Sequence, residues 1–132
     1  MEAPKIDYES LTRMFNDAPC NQHLKPRYLA SEEKGEAWLT VRPDMLHAGG
    51  VVHGSILFKL LDDVATIAVI GSMGTSLTST FNIYFTRPIS EGEIYAVGRV
   101  VKLGRRQIIA EGEAFDQDGR LLVKGSGTFM RQ

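Results

Sequence analysis

HAGGVVHGSILFKLLDD, residues 47–63, sets two histidines and three glycines directly in front of a run too apolar to belong on a surface. From Ser55 to about Ile70 the spacing predicts a helix, stopped by Gly71 and Gly74. Projected at ~100° per residue, Ile56, Leu57, Leu60, Leu61, Val64, Ala65, Ile67 and Ala68 cover most of its circumference, while Ser55, Lys59, Asp62, Asp63 and Thr66 share one narrow stripe. Such a helix threads the curve of a sheet and offers its stripe to a second partner. Asp63 is expected to pair with Lys59 on a solvated face, a contribution of about a few tenths of a kcal/mol. Asp62 borders Phe58 and Ala65 in projection, so partial desolvation, which raises a carboxylate's basicity, is expected there.

Working outward, Leu11, Met14 and Phe15 recur at helical spacing between Tyr8 and Asp17, and APCNQ breaks the pattern. Lys25 to Val41 reads as a hairpin around EEKGE, ended by Pro43, and residues 44–53 form a glycine-containing loop. Beyond the long helix the period changes to that of strands. Ser76–Phe85, Ile94–Leu103, Gln107–Phe115 and Leu121–Met130 are four β-type runs; KLGRR and DQDGR are hairpin turns, and RPISEGE connects the first two runs. One central helix enclosed by consecutive antiparallel strands is an α+β domain.

At 132 residues with no repeats or linkers, the chain reads as a single domain over residues 1–132, large enough to fold without staples. Cys20 is the only cysteine, which excludes an intrachain disulfide and any CxxC motif and points to a reducing compartment. The leading segment MEAPKIDYES lacks the pattern of a secretory signal, no stretch is long and apolar enough for a membrane span, and a cytoplasmic protein is expected. Fifteen basic and 16 acidic residues supply no global field for nucleic acid, although a small anion could still find a local basic patch. His23, His47 and His53 show no metal-ligand spacing, so no metal is expected.

The loop before the helix has its own chemistry. Glycines at 49, 50 and 54 allow close backbone approach, and the first-turn N–H groups supply donors for an oxygen gaining negative charge. No GK[ST] follows, so this is not a phosphate-binding P-loop. His53 and Asp62 lie nine positions apart, about 13 Å along a helix axis. They cannot meet one atom from a single chain; a shared site needs a second subunit, and a two-fold axis between antiparallel helices would create two.

VVHGSILFKLLDDVA, then STFNIYFTRP, then GEIYAVGRVVKLGRRQIIAEGEAFDQDGRLLVKGSGTFM resemble, in order and separation, the hotdog-fold acyl-CoA thioesterases, and within them the phenylacetate-pathway (PaaI-like) group. The resemblance runs through nearly the whole chain. It implies an antiparallel sheet wrapped around one long helix, assembly as a dimer or tetramer, and hydrolysis of a coenzyme A thioester with no cofactor beyond the substrate's own coenzyme A. Asp62 corresponds to the catalytic carboxylate, nucleophile or general base. Gly54 and Ser55 correspond to the backbone donors to the thioester carbonyl, His53 to the histidine flanking it, and Thr78 to the hydroxyl that helps place the water. Strand alternation puts Thr78 on the polar side with Thr80 and Asn82.

Two positions depart from the group's pattern. His47 stands where asparagine is usual, and imidazole can still donate to an oxyanion. Ser55 replaces the second glycine of HGG; its N–H survives, and its hydroxyl can cap the helix or narrow the site. Arg87, Lys102, Arg105 and Arg106, at strand ends or in a hairpin, are candidates for the phosphates of coenzyme A. The expected activity is hydrolysis of an acyl- or aryl-CoA. The rival is a non-catalytic acyl-CoA-binding regulatory or scavenging module on the same fold; a hydratase is weaker, since the loop and helix hold no matching Asp/His pair.

Overall fold

The computed structural model describes residues 6–132; residues 1–5, part of the leading segment read above, lie outside it. In chain order the elements are α1 (Tyr8–Asn16), a 3-10 turn (Pro19–Asn21), β1 (Arg27–Ser31), β2 (Lys34–Thr40), a second 3-10 turn (Pro43–Met45), α2 (Gly54–Met73), β3 (Ser76–Phe85), β4 (Glu93–Leu103), β5 (Ile108–Phe115) and β6 (Leu121–Arg131). The strands form one antiparallel sheet in the order β1-β2-β4-β5-β6-β3. Wrapped around α2, this is the hotdog fold that the resemblance implies. The four β-runs are therefore not all neighbours in sequence order: β3 pairs with β6 at one edge, and residues 86–92 carry the chain across to β4. Among the described residues no helix is long and apolar enough to cross a membrane.

The helix is as buried as its composition demands: Leu57, Leu60, Leu61, Val64 and Ile67 pack with Leu39, Ile94, Leu122 and Val123 in one core. A sheet can close on a helix this tightly only where side chains are missing. Gly35, Gly98, Gly112 and Gly125 stand opposite one another across β2, β4, β5 and β6, forming a row of glycines across the sheet. The backbone of α2 lies against the first two. A Cβ at Gly98 would stand 2.5 Å from Ala65 N, and one at Gly35 would stand 2.9 Å from Ile67 Cβ. Gly35, Gly98 and Gly112 grip α2 around Leu61–Ile67, while Gly125 makes room for Phe81 of β3, so the sheet holds the helix beside the turn that carries Asp62.

Three expectations are corrected here. Gly35 belongs to β2, and the hairpin turn narrows to Glu32 and Glu33, the latter at φ 57°. Gly71 lies inside α2; a side chain there would press on Tyr8 and Leu11 of α1, so the small residue serves packing. The helix continues to Met73, and Gly74, at φ 96°, ends it.

The third correction concerns phase. The β3–β6 register shifts between Thr78 and Thr80, a bulge that gives β3 one extra residue. Ser76 is buried and Thr78 faces α2, yet Phe81 and Ile83, odd-numbered, also pack inward. Thr80 and Asn82 are exposed, and Thr80 instead bonds the Thr128 hydroxyl at 2.6 Å. Thr78 therefore does not share a face with Thr80 and Asn82.

Candidate active site

Asp62 sits in the middle of α2, half-buried where the helix meets β3. Thr78 Oγ1 donates to Asp62 Oδ1 at 2.6 Å. Thr66, one turn on, donates to the Asp62 carbonyl at 2.6 Å, and its hydroxyl lies 3.4 Å from that of Thr78. Burial raises the Asp62 carboxyl above the usual carboxylate range; the Thr78 hydroxyl pulls the other way, the Asp63 charge raises it further and Lys59 lowers it. The desolvated carboxylate read from the helical projection is present, hydrogen-bonded by a neutral donor.

Asp63 departs from its expected place on a solvated face. Its side chain is 18% exposed and accepts Lys59 Nζ at 2.9 Å. The same Oδ2 also accepts the hydroxyl of Tyr28, a core residue on β1. Burial, followed by the Asp63 charge and the hydrogen bond to it, pushes the Tyr28 hydroxyl far up, so it remains a donor. Nothing in the local spacing marks Tyr28, because its partner is 35 positions away.

At the other end of the site, His53 is the N-cap of α2. Its Nδ1 accepts the Ser55 N–H at 3.1 Å and stands 2.7 Å from Ser55 Oγ. Ser55 N–H is therefore occupied, and the Ser55 hydroxyl braces the capping ring. This differs from the pair of free donors that the resemblance implied at Gly54 and Ser55. Gly54 N–H has no acceptor among the described residues. His47 Nδ1 accepts the Gly49 N–H at 2.8 Å, which in the neutral ring leaves the proton on Nε2 as a donor. The two histidine rings meet edge to face at 6.2 Å.

His47 and Gly54 line a cavity of about 370 Å³ with Val51, Leu57, Phe85 and Arg87. Arg87 thus joins the helix N-terminus. Lys102, Arg105 and Arg106 do not: they lie at or beyond the β4 end, where Leu103 pairs with Ile108 and Ile108 with Phe129. Phe85 pairs with Val123, six positions away on β6, which separates the groups by roughly 20 Å. Asp62 and the helix N-terminus are likewise two and a half turns apart in one chain. Antiparallel apposition of two helices would bring both separated pairs of features toward each other.

The sequence pattern of the thioesterase superfamily matches residues 49–123, more than half of the chain. The chain belongs to the thioesterase superfamily. A Saccharolobus solfataricus protein named as an esterase is 29% identical over 84 residues, covering 62% of this superfamily member and 56% of that relative. A conserved protein of Pseudomonas aeruginosa has a solved structure with a TM-score of 0.79 at 30% identity, covering 85% of this chain and 92% of that one. The Escherichia coli PaaI protein of the phenylacetic acid degradation operon superposes with a TM-score of 0.83 at 22% identity over 90% of this chain and 88% of that one; this is a likeness of fold. In this member of the superfamily the matched stretch contains His53, Gly54, Asp62, Thr78 and Arg87, and begins after His47.

Proposed function

We propose that this protein is a PaaI-like thioesterase, a homodimer or homotetramer that hydrolyses an acyl- or aryl-CoA to the free acid and coenzyme A. The observation that carries the reading is Asp62: a half-buried carboxylate with raised basicity, hydrogen-bonded by the neutral Thr78 hydroxyl, on the helix whose other end presents an unpaired Gly54 N–H. Asp62 takes a proton from water, and the resulting hydroxide adds to the thioester carbonyl carbon. The carbonyl oxygen becomes an oxyanion, met by Gly54 N–H and His47 Nε2–H of the opposing subunit. The C–S bond then breaks, and the leaving thiolate takes its proton from Asp62. His53 contributes by fixing where α2 begins, and hence which N–H stays free. Arg87 from one subunit and Lys102, Arg105 and Arg106 from the other receive the coenzyme A phosphates.

Apolar Val51, Leu57 and Phe85 in the cavity support an acyl or aryl group as the non-coenzyme portion. The deciding experiment is a panel of CoA esters (phenylacetyl, benzoyl, hexanoyl, palmitoyl) assayed by release of free thiol, with light scattering to measure assembly. Turnover of at least one ester by a dimer or larger assembly is expected. An active monomer would eliminate the shared site. Binding of a non-hydrolysable CoA thioether without turnover of any ester would favour a regulatory or scavenging module.

A further inference from the structure

Lys59 has two adjacent carboxylates within reach. It precedes Asp62 by three residues and Asp63 by four, and both spacings place side chains next to each other on a helix. The lysine goes to Asp63, at 2.9 Å. Two flexible side chains alone would not enforce that choice. Tyr28, 1% exposed and rooted in the core, holds Asp63 Oδ2 from β1, while Lys59 Nζ also lies 3.8 Å from Cys20 Sγ. Asp62 Oδ1 receives the Thr78 hydroxyl instead.

The other elements around α2 bring no competing charge inward. β3 carries no acidic or basic residue, and its one titratable group, Tyr84, is exposed. Lys34, Glu36 and Arg99 alternate with Gly35 and Gly98, which face the helix, so they project from the outer face of the sheet. Glu111 and Glu113 flank inward Gly112 in the same way, and Lys124 pairs with Glu113. Arg27 lies over the Trp38 ring, and Glu9 and Arg13 of α1 pair with each other.

We propose that Asp63, locked by Tyr28, is the counter-ion that keeps Lys59 off Asp62, and so is a positioning residue for the base beside it. The inference rests on the reading of Asp62 as that base. A lysine paired to Asp62 would hold the carboxylate ionised, weaken it as a proton acceptor and occupy the side from which water must approach. Burial and the Asp63 charge raise Asp62 while Lys59 lowers it, which is the balance such a device would regulate.

The test compares wild type, Asp63→Asn, Lys59→Met and the double variant by carbon-13 titration of the Asp62 carboxyl, alongside the pH profile of kcat/KM with phenylacetyl-CoA. Asparagine keeps the volume and can still accept the Tyr28 hydroxyl, and amide spectra verify the fold. In Asp63→Asn the proton affinity of Asp62 should fall at least about tenfold, the lower bound for a cation brought within ~4–6 Å of a carboxylate. The acid limb of the profile should move down with it. Lys59→Met should raise the affinity, and the double variant should return it to within about threefold of wild type. An unmoved Asp62 in Asp63→Asn, or a double variant as low as the single one, would overturn the proposal. If Asp63→Asn does not fold, Tyr28→Phe decides instead: releasing Asp63 frees Lys59 to share its charge with Asp62 and should lower the Asp62 affinity, and an unchanged affinity there refutes the proposal. Absence of hydrolysis by wild type would count against the function proposed above, while the carboxyl titration would still decide this inference.

Discussion

Replacing Gly98 with alanine tests whether the glycine row holds α2 in place. The added Cβ would stand 2.5 Å from Ala65 N, against helix backbone that no side-chain rotation can move aside, where ordinary contacts lie at ~3.5–4.0 Å. Strand and helix must part by roughly 1 Å. Overpacking of this kind costs about 1–3 kcal/mol, and the close backbone contact places Gly98 near the top of that range. Restricting the unfolded chain offsets ~0.4–1 kcal/mol, leaving a net loss of about 2 kcal/mol. For a chain of this length that lowers Tm by about 6–8 °C. Gly112→Ala is the internal control: its Cβ would meet Leu61 Cγ at 3.1 Å and Leu61 O at 3.3 Å, contacts that a small adjustment relieves. It should stay within about 0.5 kcal/mol of wild type. Thermal melts followed by circular dichroism measure both variants, and hydrolysis at 25 °C, where each is folded, supplies a second readout. Displacing α2 shifts Asp62 against Thr78, so Gly98→Ala should lose about 10²-fold in turnover beyond any unfolded fraction. Equal Tm values for the two variants would refute the argument.

Asp62→Asn should lower turnover at least about 10²-fold while retaining binding of a CoA thioether. Because the folded Asp62 midpoint is raised, its favourable contribution is present at low pH and lost as pH rises from the unfolded carboxylate value, ~3.9, through the folded one. The Asn variant does not titrate, so paired melts across pH should show it gaining stability relative to wild type over that window. Thr78→Val removes the hydroxyl that favours the ionised form and should move the acid limb of the kcat/KM profile to higher pH. His47→Asn should keep most of the turnover, whereas His47→Ala should lose about 10²-fold, the scale of one oxyanion donor; equal rates in steady-state assays would make His47 a bystander.

The long helix was legible because apolar residues surround it, and the last three strands because turn residues separate them. The partial burial of Asp62 followed from its neighbours in projection. What escaped depended on distant partners. Gly71 reads as a stop until Tyr8 and Leu11 are packed against it, and Gly35 reads as a turn until Val64 occupies the space it leaves. Asp63 looks like half of a surface pair because Tyr28 enters from another element. His53 could be placed beside the site by resemblance, but its capping of Ser55 N–H depends on ring orientation, which residue spacing does not encode.

The bulge in β3 makes one residue matter by being counted. Ser79 is exposed between Thr78, which bonds Asp62, and Thr80, which bonds Thr128; the extra position it supplies acts as a phase shifter. With it, an even-numbered hydroxyl and the odd-numbered Phe81 and Ile83 reach the same interior. Delete one residue there and the ladder can become regular, but the strand must then surrender either the Thr78 hydroxyl or its apolar anchors. Point substitutions at Ser79 can leave the frame intact while a deletion destroys it, so a scan of side-chain replacements would miss the contribution of this position to the chemistry.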